Sequence, residues 1–410
     1  MIIVITAVKK LLKQVRERKI LLLGVALLAL LTLALVFAKP PKKALPLQVY
    51  ADQIVQKCAA VRYHPGCYDD EIPKLMDFLT LEEAFSVTAL VQEKDSSYQY
   101  CHVLGHRLAA REVDKDPSKW EEVVARAPTG ICSNGAIHGA FQERFRQDSM
   151  NPAEIAKIKP DLANICEEHG SFNPTGLVQA SCYHALGHLA MYITRADLNQ
   201  TTNLCSQLAK KADGRDYSQV CYDGAFMQIY QPLEPDDFAL IKGKVPTKET
   251  LVAFCNSFPS LQKDSCWTES WPMSFQELKD PKNLVSFCTF PATPTGKDRC
   301  YLSLIYVMTA EFNFDQGKIE SYCLGLPAER KGGCFANASS RMIETDTKNV
   351  NKSIALCATA ASEGVGEACY QELLSYSTYN FHLGSKEFFA LCDALPTSWK
   401  QTCLKQNNRS

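Results

Sequence analysis

No sign of charge dominates this chain: 44 Lys and Arg stand against 45 Asp and Glu in 410 residues, a formal net charge of −1. A nucleic-acid footprint would need a basic face, and nothing in the acidic sequence beyond residue 43 resembles one. The sequence also lacks H-E-x-x-H, G-x-S-x-G, a phosphate loop and a dinucleotide fingerprint. The chemistries that depend on those motifs therefore have no footing here. Spare thiols are missing too. An ordered array takes up all 18 cysteines, which argues against a cysteine nucleophile.

That array is the most regular feature present. Ten cysteines, at 67, 101, 132, 182, 221, 266, 300, 334, 369 and 403, keep near a fixed interval, and the last five are separated by 34, 34, 35 and 34 residues. Eight of the ten are preceded by a partner: Cys58, Cys166, Cys205, Cys255, Cys288, Cys323, Cys357 and Cys392. Cys101 and Cys132 lack one, and an even count is completed if they pair with each other.

Residues 280–314 show what one unit is: a short segment ends near Cys288, a link bearing Pro and Gly follows, and a second apolar segment starts at Cys300. Proline and glycine interrupt helical runs, so the unit reads as a helical hairpin. A bridge across the turn needs Cα atoms only about 4.4–6.8 Å apart, which neighbouring hairpin helices satisfy. An aromatic follows most of the second cysteines, as at Tyr68, Tyr183, Trp267 and Phe335, and supplies apolar area for packing between repeats. In period and unit the array resembles tetratricopeptide and Sel1-like repeats, over roughly residues 50–405. The resemblance stops there, because the tetratricopeptide signature residues are absent. The expected fold is all-α: a right-handed superhelix or toroid of about ten disulfide-stapled helical hairpins.

Residues 20–38 form 19 uncharged positions, long enough to cross a bilayer core of roughly 30 Å. Residues 1–43 carry nine Lys or Arg and one acid, which leaves the remainder near −9 by subtraction. The heavier basic flank precedes the span and favours a cytoplasmic N-terminus. The expected organisation is a basic cytoplasmic segment at 1–19, a transmembrane signal-anchor at 20–38 and a linker at 39–49. Helical repeats at 50–230 follow, then an inserted loop at 231–249 and C-terminal repeats at 250–410. A cleaved signal peptide is the rival reading of the apolar run. Eighteen cysteines suit an oxidising compartment, so the body is expected to be periplasmic or extracellular.

Laid against the cysteines, five of the eight histidines share a register. Positions two and six beyond the second cysteine are Asn134 and His138, then His184 and His188, then Asp223 and Met227. His102 and His106 match His184 and His188 once the cysteine slips by one, and the shared string is H-x-L-G-H. Residues four apart lie on one helix face, so each pair presents two imidazoles to one side. His102, His106, His138, His184, His188 and Asp223 are thus candidate ligands for a transition metal, zinc or iron first, and the alternative reading of the same histidines is a buried hydrogen-bond network. Asp223 and Glu143 are the candidate acid or base for water activated on that metal. Gly105, Gly135, Gly187 and Gly224 sit beside the ligands, where helical glycine is unfavourable and signals close approach of a neighbour.

Three functions are compatible with these features. The first is a metal-dependent hydrolase anchored in the membrane. The second is a cell-envelope scaffold that binds a protein partner on its concave face. The third is a copper or redox metal-handling protein, with Met191 and Met227 as soft ligands.

Overall fold

The computed structural model describes residues 45–128, 131–132, 135–145, 152–170, 172–233 and 235–407. The span expected at 20–38 and the candidate position Asn134 lie outside them. No described helix is long and apolar enough to cross a membrane. The described residues form helices joined by turns, with no strand among them.

Ten helices follow or contain the second cysteine of each unit and are numbered here in chain order. They are α1 (His64–Glu71), α2 (His102–Lys115), α3 (Gly135–Phe145), α4 (Gly176–Ile193) and α5 (Ser218–Tyr230), then α6 (Ser260–Glu269), α7 (Pro294–Glu311), α8 (Ala328–Thr345), α9 (Gly366–Asn380) and α10 (Thr397–Gln406). Each packs on the next. Local chemistry starts them: Thr175 accepts the Val178 N–H ahead of α4, and Thr293 accepts the Gly296 N–H ahead of α7. Such caps satisfy an amide that the first helical turn otherwise leaves unpaired.

All 18 cysteines are bridged and none is free. Eight bridges close a hairpin, as at Cys288–Cys300 with Cα atoms 5.5 Å apart. The pairing of Cys101 with Cys132 is different in kind, since it ties the start of α2 to the segment entering α3 across 31 residues. Staples within a single hairpin therefore number eight, with the ninth bridge joining two units. Nine intrachain disulfides suit an oxidising, extracytoplasmic compartment.

Tyr68, Tyr183, Tyr222, Trp267, Tyr301 and Phe335 are buried, as their place after the second cysteine leads one to expect, whereas Tyr370 at the equivalent place is half-buried. The core divides in two, one cluster running from Tyr50 to Trp267 and another from Leu278 to Cys403. The segment 231–249, expected as an inserted loop, is partly helical over Pro235–Leu240. Asp237 holds it by accepting the Leu233 N–H at 2.9 Å and the hydroxyl proton of Tyr192.

Distant parts of the chain also meet. The Asn313 side chain donates to the Ser96 carbonyl at 2.6 Å, and Lys348 pairs with Glu93 at 3.0 Å. Ile131 bridges to Asp346 through the backbone, and α4 packs on α9. These contacts bring the early units against the late ones.

Candidate metal centre

Glycine sets the geometry of the site. A Cβ on Gly135 would stand 2.2 Å from the His102 carbonyl oxygen, and one on Gly139 would stand 2.0 Å from that of His106. The backbones of α2 and α3 are therefore in direct contact, at a spacing no side chain allows. The same crossing recurs between α4 and α5, where a Cβ on Gly224 would lie 2.0 Å from the His184 carbonyl oxygen and one on Gly187 would lie 2.1 Å from that of Cys221. The close approach inferred from the glycines is thus between helices, and it carries the histidines inward.

All five registered histidines converge. His102, His106 and His138 are buried, and one ligand nitrogen from each lies within 4.8 Å of the other two. The Nε2 atoms of His102 and His106 are 3.1 Å apart. Two nitrogens at 2.0–2.1 Å on one tetrahedral zinc stand roughly 3.3 Å apart, so this pair is spaced for a shared ion. His138 joins the triad to the next pair: its ring stacks on His184 with centroids 5.3 Å apart and lies 5.4 Å from His188. Its Nδ1 is buried without a hydrogen-bond partner, although such atoms are rarely left orphaned.

Burial, reinforced by the neighbouring imidazoles, holds His106, His138 and His184 well below the ordinary imidazole pKa, and burial lowers His188 as well. Neutral rings have a free lone pair, which is the form that binds metal. Two glutamines outside the histidine register orient them. Gln142 Oε1 is 3.4 Å from His106 Nδ1, and Gln228 Oε1 is 2.6 Å from His188 Nδ1. An amide oxygen can only accept, so Nδ1 carries the proton and Nε2 is left as the ligand atom. The i,i+4 spacing of Gln142 from His138 was the one signal available.

The carboxylate candidates fare differently. Asp223 lies outside the close triad, because Arg299 pairs with it at 2.5 Å and Ser265 donates to it at 2.6 Å. Glu143 is part-buried on α3, the helix of His138, and does not line the cavity that the histidines face. His64 and His169, outside the register, pair with Asp95 and Glu121 at 2.8 and 3.0 Å.

That cavity measures about 860 Å³ and is walled by units between Tyr63 and Glu344, with His102, His138 and His184 and also Tyr306, Arg341 and Glu344 in its lining. Arg341 is buried against the Tyr306 ring, 3.1 Å from its centroid, and pairs with Glu344 at 3.0 Å. Burial raises the Glu344 carboxyl despite that partner. Glu269 also lines the cavity and is pushed well above the ordinary 4.5, by burial first and by the Asp223 charge second.

A raised carboxyl makes a stability prediction. Glu269 contributes fully below the unfolded value near 4.5 and loses that contribution as pH rises through its folded pKa. Gln231 donates to Glu269 at 2.8 Å, and an amide oxygen at the same place accepts as well. Glu269→Gln is therefore expected to match wild type in urea unfolding below pH 4.5 and to exceed it increasingly toward pH 8. Parallel pH profiles for the two proteins would contradict the assignment.

Comparison with family models, with curated proteins and with solved structures returned no match for this chain.

Proposed function

We propose that this chain is an extracytoplasmic metalloprotein, tethered by a transmembrane anchor at 20–38, that carries a zinc ion on His102, His106 and His138. One observation carries the reading: three buried imidazoles with ligand nitrogens within 4.8 Å of one another, beside a cavity of about 860 Å³. Three protein nitrogens leave a fourth zinc position for water, as catalytic zinc sites require. Zinc ranks above iron because the oxygenase-type iron site needs a carboxylate with two histidines, and among the described residues no carboxylate joins this triad.

The chemistry proposed is metal-dependent hydrolysis. Zinc held by these three imidazoles would lower the pKa of bound water toward about 7 and so would supply a nucleophile at neutral pH. His102 and His138 line the cavity and give such water access to a substrate held there, while Arg341 offers a buried cation for an anionic group of that substrate. Asp223 and Glu269 are the cavity carboxyls nearest in chemistry to an acid and base pair, and Glu143 has no such access. The repeats are read as a closed toroid, supported by the Ser96–Asn313 and Glu93–Lys348 contacts.

Metal analysis of the oxidised full chain tests the reading. Wild type is expected to retain about one zinc per chain after dialysis against a weak chelator. Folded His138→Gln should lose at least about tenfold in zinc affinity, the order of effect that disturbing a zinc site's support produces. Hydrolysis of a chromogenic acetate ester should require the metal and fall with the same variant. A helical, fully bridged His138→Gln protein that keeps its zinc sinks the assignment.

A further inference from the structure

The two glycine crossings are copies of one another. Gly135 closes on the His102 carbonyl as Gly224 closes on that of His184, while Gly105 and Gly187 occupy the matching places on α2 and α4. Under this superposition His184 takes the place of His102, His188 that of His106, and Met227 that of His138. The second crossing therefore presents two imidazoles and a thioether where the first presents three imidazoles.

We propose that His184, His188 and Met227 form a second, separate metal site, selective for a soft monovalent ion such as Cu(I). The His184 Nε2 lies 3.3 Å from the Met227 Sδ. A nitrogen at 2.0–2.1 Å and a sulfur at 2.3 Å on one tetrahedral ion stand roughly 3.5 Å apart, so the two atoms are placed to share one. His188 supplies the independent observation. Its Nδ1 hydrogen is engaged by Gln228 at 2.6 Å, which leaves the lone pair on Nε2, and that atom is buried with no hydrogen-bond partner. The residue is only 5% exposed. A buried acceptor in this state normally finds a proton or a cation.

Thioether sulfur is soft and polarisable, and replacing one imidazole by it shifts preference from Zn(II) toward Cu(I). No thiol competes, because every cysteine is bridged. Met191, the other methionine on these helices, is engaged by the Thr201 hydroxyl at 3.5 Å. His184 also lines the cavity, which gives the second ion a route of entry. The chain would then hold two unlike ions side by side, with His138 as the wall between them.

The test loads the metal-free full chain with Cu(I) under anaerobic ascorbate, in competition with bicinchoninate, and with Zn(II) in a parallel series. Wild type is expected to bind one Cu(I), and Met227→Leu to bind it at least about tenfold more weakly while keeping zinc. His138→Gln should show the reverse. Selenomethionine-labelled protein needs no substitution: X-ray absorption at the copper edge should show a selenium neighbour. Absence of that neighbour, or equal loss of Cu(I) in His138→Gln, overturns the second site. A failure of zinc binding alone overturns only the first site.

Discussion

Gly139→Ala is expected to destabilise the protein by about 3 kcal/mol, the upper part of the usual range for forced overpacking. The added methyl would meet the His106 carbonyl oxygen at 2.0 Å and the His106 Cα at 2.6 Å. Neither atom can swing aside as a flexible side chain would, so α2 and α3 must separate. Since those two helices carry the histidine triad proposed to hold zinc, zinc affinity should fall with stability. Gly333→Ala on α8 supplies the contrast, because nothing lies within 4 Å of its Cβ position. There alanine should add about 0.5–1 kcal/mol through the lost glycine entropy. Urea unfolding with the disulfides intact reads both, and a Gly139→Ala protein as stable as wild type would refute the backbone contact.

Removing the Cys101–Cys132 bridge is the other large effect. It closes 31 residues, against 9 for Cys58–Cys67. In the chain-entropy treatment the longer loop is worth about 3–4 kcal/mol and the shorter about 2–3. The double variant Cys101→Ala, Cys132→Ala should therefore lose more stability than Cys58→Ala, Cys67→Ala. The sharper difference lies in the metal. The first bridge sits at the entry to the α2–α3 crossing, where a Cβ on Gly105 would meet the Cys132 Cβ at 3.3 Å. Only its removal should weaken zinc, and equal zinc affinity in the two double variants would uncouple the bridge from the site.

Much of this was legible in the sequence, and the reason differs by feature. Cysteine spacing reports hairpin length directly, because a disulfide admits only a narrow Cα separation, and the pairing of Cys101 with Cys132 followed from parity. The histidines that share a register lie close together because each pair sits four residues apart on one helix, and that spacing makes one face. Asp223 shared that register and still left the cluster. Its partner Arg299 lies 76 residues away, and nothing local in the sequence announces it. The cavity wall of Tyr306, Arg341 and Glu344 was hidden for the same reason, since periodicity orders residues along a helix without saying which distant helix faces it. Gln142 and Gln228 carry no motif, and apart from the four-residue spacing of Gln142 from His138 only the positions of the imidazole nitrogens give them meaning.

The meeting of residues 93–100 with residues 313–348 also governs how the molecule comes apart. In an open stack each unit touches only its neighbours, so the ends open independently and the array melts as a set of weakly linked steps. Here Glu93 and Ser96 are held by Lys348 and Asn313, and Tyr100 lies against Arg341, 5.4 Å from its guanidinium carbon to the ring centroid. Opening the early hairpins strips contacts from Arg341 on α8 and from the turns that follow α7 and α8 at the same moment. Amide protons on α2, α3 and α8 are therefore expected to exchange with solvent through one shared opening, even though His102, His138 and His184 face the cavity while the body is closed.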